Sequence, residues 1–234
     1  MTRLNVFRVG VMASIALVIV AVWVAPLIER ERTWHFVRQV LLTSDDGLRT
    51  QVIMRWKKSP TISSVFSNPE TMAIFNSVVE EVNNALSKTN ISLIPVERRE
   101  NILVLICDHA CGKRWSEVPI CFYYVKSNGY GCTSSNDDYA LIDSLVWVLK
   151  DLPNDQRRAT LLEEVVQVLG LYADSAIYPD SLFFEFFGYS SSGKTLSQLD
   201  RKLIYFLYTY LEPGDREEDV RQAFDKHWYS INIQ

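Results

Sequence analysis

Apolar positions along this chain fall into three kinds of run. The first, Val9 to Ile28, carries no charge over about 20 residues, enough to cross a bilayer as a helix. The second kind is short and of strand length. "RTQVIMRWKKSP" reads as a strand stopped by Pro60, "ISLIPVE" and "NILVLICD" as two more, and "ICFYYVKSNGYGC" as an aromatic strand that ends in a turn. "YALIDSLVWVLKD" is apolar throughout, so periodicity leaves it open between strand and helix. The third kind has helical spacing. In "PETMAIFNSVVEEVNNALSKT", Ile74, Val78, Val82, Ala85 and Leu86 share a stripe behind a Pro-Glu start. "TLLEEVVQVLGL" follows a cap expected at Asn154 or Asp155, "DRKLIYFLYTYLEP" is stopped by Pro213-Gly214, and "REEDVRQAFDKHW" is a last amphipathic helix.

This pattern divides the chain into a cytoplasmic tail (1–8), a transmembrane signal anchor (9–28), a polar juxtamembrane segment (29–47) and one domain (48–234). Cleavage of the uncharged run as a signal peptide is the competing reading. Trp23 and Pro26 near its end fit a small-residue cleavage site poorly. No cysteine follows the run, which excludes a lipid-modified anchor. Arginines flank it on both sides, Arg3 and Arg8 before and Arg30 and Arg32 after, so charge bias alone orients it weakly.

Cysteine usage adds to the topology. Cys107, Cys111, Cys121 and Cys132 fall close together, which suits disulfides in an oxidising compartment and places the domain outside the cytoplasm, in the periplasm of an envelope with the anchor in the inner membrane. The alternative is a metal site, because "CDHAC" sets His109 between two thiols; the chain lacks the paired C-x-x-C knuckles of structural zinc. Several pairings of these cysteines remain open. A net charge of -4 gives no reason to expect nucleic acid.

Candidate chemistry concentrates in "TLLEEVVQVLGL". It has the outline of the zinc-protease helix H-E-x-x-H-x-x-G-L with both histidines replaced, since Glu163 and Gln167 stand at the ligand positions and Glu164 at the general-base position. On a helical wheel Leu162, Val165, Val166 and Leu169 form the buried face, with Glu163, Gln167 and Glu164 opposite. A carboxylate and a neutral amide are a poor replacement for two imidazoles. Without a metal nothing lowers the pKa of water for Glu164 to act on. An ordinary amphipathic helix with the same exposed residues is the plainer alternative.

The order of elements, strand, helix, several strands, motif helix and helical C-terminal part, is that of the zincin metalloproteases. Arg55-Trp56, "ENILVLICD", "LLEEVVQVLGLYADS", "PDSLF" and "LSQLDRKLIYFLYTYLEPG" together resemble a bacterial family of domains of unknown function, number 2927, over roughly residues 48 to 225. The resemblance implies an α+β, zincin-like fold: a twisted mixed sheet, the motif helix and a helical C-terminal subdomain, here preceded by one transmembrane helix. It also implies an E-E-x-x-Q motif in place of the histidines, with an acid in the following turn, here Asp174. Tyr172-Ala173 departs from the proline and asparagine expected there.

Two other motifs were weighed. "GYSSSGKT", Gly188 to Thr195, fits the P-loop string, yet too little chain follows Thr195 for a nucleotide-binding sheet, so no nucleotide is expected. His35, His109 and His227 lie in separate segments and no G-x-S-x-G elbow exists, so a nucleophilic hydrolase has little support. The sequence therefore predicts a single-pass, extracytoplasmic domain without metal or other cofactor. It would bind an extended polypeptide or an envelope protein along a cleft edged by Ile120 to Val125, with Glu163, Gln167 and Asp174 as binding residues. The alternative is a metallopeptidase with altered ligands, Glu163 and Asp174 holding the metal and Glu164 acting as base.

Overall fold

The structure, a computed structural model, describes residues 24–43, 51–65, 68–98, 100–111, 128–186, 189–190 and 195–233. Five strands make one mixed sheet: β1 (Thr61–Ser64), β2 (Ile94–Pro95), β3 (Ile102–Cys107), β4 (Gly129–Ser135) and β5 (Leu141–Leu149), in the order β2-β1-β3-β5-β4. The first four in that order run parallel, and only the edge strand β4 is antiparallel to its neighbour β5. "YALIDSLVWVLKD" is thus a strand. Its continuous apolar run fits β5, which is flanked on both sides and buried from Ser144 to Val148.

Helices α2 (Pro69–Leu86) and α3 (Asn154–Gln167) pack against each other, and α3 lies across β4 and β5. α2 begins where the sequence signals it: Asn68 accepts a hydrogen bond from the Glu70 N–H and Pro69 opens the first turn. For α3 the residue before the helix is Pro153, so Asn154 is its first residue rather than its cap. α4 (Gln198–Tyr210) packs on α2 and starts with a capping box between Ser197 and Asp200. α5 (Glu217–His227) ends in a short 3-10 turn, Trp228–Ser230.

Three expectations need correction or placing. The polar juxtamembrane segment is instead part of a helix, α1 (Ala25–Leu42), whose Trp34, Phe36, Val37, Val40, Leu41 and Leu42 are buried in the main core, with α5 packed alongside. Arg and Glu occupy its other faces, and this mixture is what makes the stretch look polar in sequence. The strand expected over 49–60 is not formed. Residues 51–60 make only isolated bridges, Val52 with Arg216 and Arg55 with Ala140, because their backbone groups are divided between two partners: Leu141 N–H donates to Arg55 O at 3.0 Å, while Ile53 N–H donates to Asp215 O and Gly214 N–H to Ile53 O, both at 2.8 Å. Of the uncharged run, residues 9–23 lie outside the described residues and 24–28 open α1; among the described residues no helix is long and apolar enough to cross a membrane.

The apolar "SLFFEFF" does not feed a phosphate loop. Glu185–Phe186 (β6) pairs antiparallel with Tyr189–Ser190 (β7) in a short hairpin apart from the main sheet. Gly188 and Ser191 to Lys194 lie outside the described residues.

Candidate functional site

The motif helix is held chiefly at its C-terminal end. Helices leave their last carbonyls without intrahelical donors, and here side chains from two distant segments supply them. Trp56 Nε1–H donates to Val168 O at 2.9 Å, and the Tyr208 hydroxyl donates to Leu169 O at 2.7 Å. Gly170 follows with φ of +108°, and its N–H donates to Gln167 O at 2.9 Å. No other residue fits there: a Cβ on Gly170 would stand 2.4 Å from Met54 O. Burial pushes the Tyr208 phenol well above its ordinary range, so it stays a donor.

Neighbouring motif residues complete this clamp. Arg55, itself buried, pairs with Glu212 at 2.6 Å and lies over the Tyr208 ring. Asp200, fully buried, accepts hydrogen bonds from Ser181 Oγ at 2.6 Å and from the Leu182 and Ser197 N–H groups at 2.9 Å, tying "PDSLF" to the start of α4. The C-terminal segments thus cap the end of the motif helix through Tyr208 and fix the loop after it to the start of α4 through Asp200.

Glu164 is where the structure departs from the helical wheel. It is buried, as is Gln167, and only Glu163 is half-exposed. The cause is the edge strand. Alternate residues of β4 face α3, and two of these are glycines. A Cβ on Gly129 would stand 2.5 Å from Thr160 Cγ2 and 2.9 Å from Glu164 Oε1; one on Gly131 would stand 2.9 Å from Val168 Cγ1 and 3.3 Å from Glu164 Oε2. Thr160, Glu164 and Val168, one turn apart, therefore lie directly on the backbone of β4, and the carboxylate occupies a notch that only glycine leaves open. The alternating "GYG" is the sequence signal for this notch, although the same glycines in "SNGYGC" also suit a turn.

The opposite edge of β4 has a different character. Leu149 N–H donates to Asn128 O at 2.8 Å, so Tyr130 and Cys132, in step with Asn128, also turn their backbone groups toward β5. Gly131 and Thr133 turn theirs outward, and among the described residues no strand pairs with that edge. The expected edge Ile120 to Val125 lies outside the described residues.

The remaining candidates are dispersed. Asp174 is half-buried in the turn after α3, with its Oδ1 enclosed. Gln167 makes no side-chain hydrogen bond within the described residues. Among those residues no three His, Cys, Asp or Glu groups gather as a metal site, and a motif offering two carboxylates and an amide does not fit the donor set of a zinc hydrolase. The "CDHAC" thiols are taken up in a Cys107–Cys111 disulfide, while His109 packs its ring 5.5 Å from that of Trp147. Cys132 is also disulfide-bonded, and Cys121 lies outside the described residues.

Residues 31–226 match the profile of a family described as "Protein of unknown function (DUF2927)". Among solved structures, two of myroilysin are similar. One is 13% identical with a TM-score of 0.41, over 67% of this chain and 82% of the other; the second is 12% identical with a TM-score of 0.43, over 74% and 93%. Likeness this loose carries no argument about activity. A search of curated proteins gave no significant match.

Proposed function

The chain belongs to the DUF2927 family, and on that footing we propose that it is a membrane-anchored, extracytoplasmic domain of zincin-like architecture that does not hydrolyse peptides but binds an extended polypeptide of an envelope assembly along β4. The observation that carries this reading is the placement of Glu164. A general base must reach a water or substrate proton, whereas this carboxylate is packed into the glycine notch between α3 and β4. The same strand turns the backbone groups of Gly131 and Thr133 outward, the arrangement that receives an added strand. The Cys107–Cys111 disulfide suits an oxidising compartment, and the uncharged run from Val9 supplies the anchor.

The test uses the full chain in detergent micelles. A peptide selected from a random display library on the purified protein should lose affinity when its backbone is N-methylated at alternate residues and keep it at the residues between, because only every second N–H of an added strand faces β4. Loss that shows no alternation sinks strand addition. Stoichiometric divalent metal in the purified protein, together with peptide hydrolysis that Glu164→Gln abolishes, would establish the altered-ligand peptidase instead.

A further inference from the structure

The start of α1 presents an apolar surface that the domain leaves uncovered. Leu27 and Ile28 are 61% and 64% exposed, and Val24 is 40% exposed. Their spacing of three and four puts them on one stripe. Ile177, from the loop that follows the motif helix, joins them to line one cavity of about 680 Å³, far from it in sequence but adjacent in space. Charged and aromatic side chains stand around this patch: Glu31 and His35 share its lining, and the Tyr178 hydroxyl donates to Glu29 Oε1 at 2.6 Å. Arg32 donates to Ile177 O at 2.7 Å and lies over the Tyr178 ring at 4.8 Å. Tyr229 is 57% exposed, with Lys202 Nζ 5.8 Å and the Phe224 ring 5.9 Å from its ring.

An exposed apolar patch bounded by tyrosine and arginine has the chemistry of the membrane–water boundary, where aromatic rings and long cationic side chains sit at headgroup level. The chain itself says what covers the patch. The residues that precede Val24 continue an uncharged run back to Val9, so the patch begins where the run ends. We propose that this face, Val24, Leu27, Ile28 and Ile177 with Tyr178 and Tyr229 at its rim, is a bilayer-contact surface that seats the domain directly on the membrane rather than leaving it to hang from a linker. This inference rests on the membrane-anchored reading. It adds an orientation: α1 stands with its N-terminal end on the bilayer. Its 18 residues hold the far end of the domain, where Tyr139, Leu42 and Thr43 line one cavity, about 27 Å away.

The full chain, with its native cysteines left oxidised, is reconstituted in phosphatidylethanolamine–phosphatidylglycerol vesicles carrying an environment-sensitive fluorophore at Ile177→Cys, Tyr229→Cys or Asp138→Cys. Lipids brominated in the acyl chains quench only labels at the bilayer. The Ile177 label should be quenched several-fold more than the Asp138 label, with Tyr229 between them. Because Tyr229 is exposed, its label remains informative if the Ile177 replacement impairs folding. Equal quenching at Ile177 and Asp138, with the chain still in the vesicle fraction, overturns the contact and leaves the anchor standing. A blue-shifted but unquenched Ile177 label means that protein, such as a second copy, covers the patch, and overturns the contact too. A chain that leaves the vesicle fraction overturns the anchor and the contact together.

Discussion

Gly129→Ala probes the contact on which the reading of Glu164 depends. The added methyl would lie 2.5 Å from Thr160 Cγ2, 2.9 Å from Glu164 Oε1 and 3.1 Å from Trp147 O. The last is backbone of β5, held between β3 and β4, which cannot retreat, so α3 must lift from β4 or Thr160 must change rotamer. Overpacking of this kind costs about 1–3 kcal/mol. Replacing glycine by alanine also narrows the unfolded ensemble and returns about 0.4–1 kcal/mol. With three contacts at 3.1 Å or less the overpacking falls in the upper part of that range, so the net loss is about 1–2.6 kcal/mol, a fall in Tm of about 2–10 °C for a chain of this size. Thermal unfolding followed by circular dichroism in detergent measures it. Thr160→Ser removes the nearest obstructing atom at the loss of one methyl, about 0.8 kcal/mol, and the double variant should recover about 1 kcal/mol relative to additivity. An unchanged or raised Tm for Gly129→Ala, or strict additivity with Thr160→Ser, would refute the packing of α3 on β4 through this notch.

Glu164→Gln keeps the shape of the side chain, so the protein should remain folded and bind its selected peptide as before, with any lost hydrogen bond lowering stability by about 1–3 kcal/mol; abolished peptide binding at unchanged Tm would mean that the carboxylate touches the ligand. Alkylation under denaturing conditions should label no thiol before reduction. Cys111→Ser, which opens a disulfide loop of sequence separation 4, should cost about 2 kcal/mol by loop entropy, and a much larger loss would show that the loop packs beyond its own span. Asp200→Asn replaces one carboxylate oxygen by an amide donor that faces either the Ser181 hydroxyl or the Leu182 and Ser197 N–H groups, and should lose about 1–3 kcal/mol in chemical denaturation. Burial raises the Asp200 carboxyl despite those donors. The Asp200 contribution to stability, read as the difference between wild type and Asp200→Asn, should therefore fall as pH rises from about 3.9, the unfolded value, through the raised folded value, then level off. A wild-type curve no steeper than that of Asp200→Asn would contradict this.

The sequence by itself determined much of the local structure. α2, α4 and α5 follow from 3.6-residue periodicity and from stop signals such as Pro213-Gly214, and β3 from a short apolar run; these signals act over one or two turns and need no distant partner. Clustered cysteines indicated disulfides for a similar reason, since Cys107 and Cys111 sit at the end of one strand. Tertiary structure decided the rest. A helical wheel states which residues share a face but not which faces are covered. α3 lies on the sheet, against α2, and under Trp56 and Tyr208, so Glu164 and Gln167 are buried although they oppose the apolar stripe. The segment 51–60 has strand composition but spends part of its backbone hydrogen bonding on the loop before α5, a partner more than 150 residues away whose position only the folded chain fixes. α1 looked like polar linker because its charges are interspersed with buried aromatic and aliphatic residues, and the core that receives them is assembled from the far end of the sequence. The environment of Glu164, on which the functional reading turns, depends on two glycines whose missing side chains acquire meaning only when a helix is laid across them.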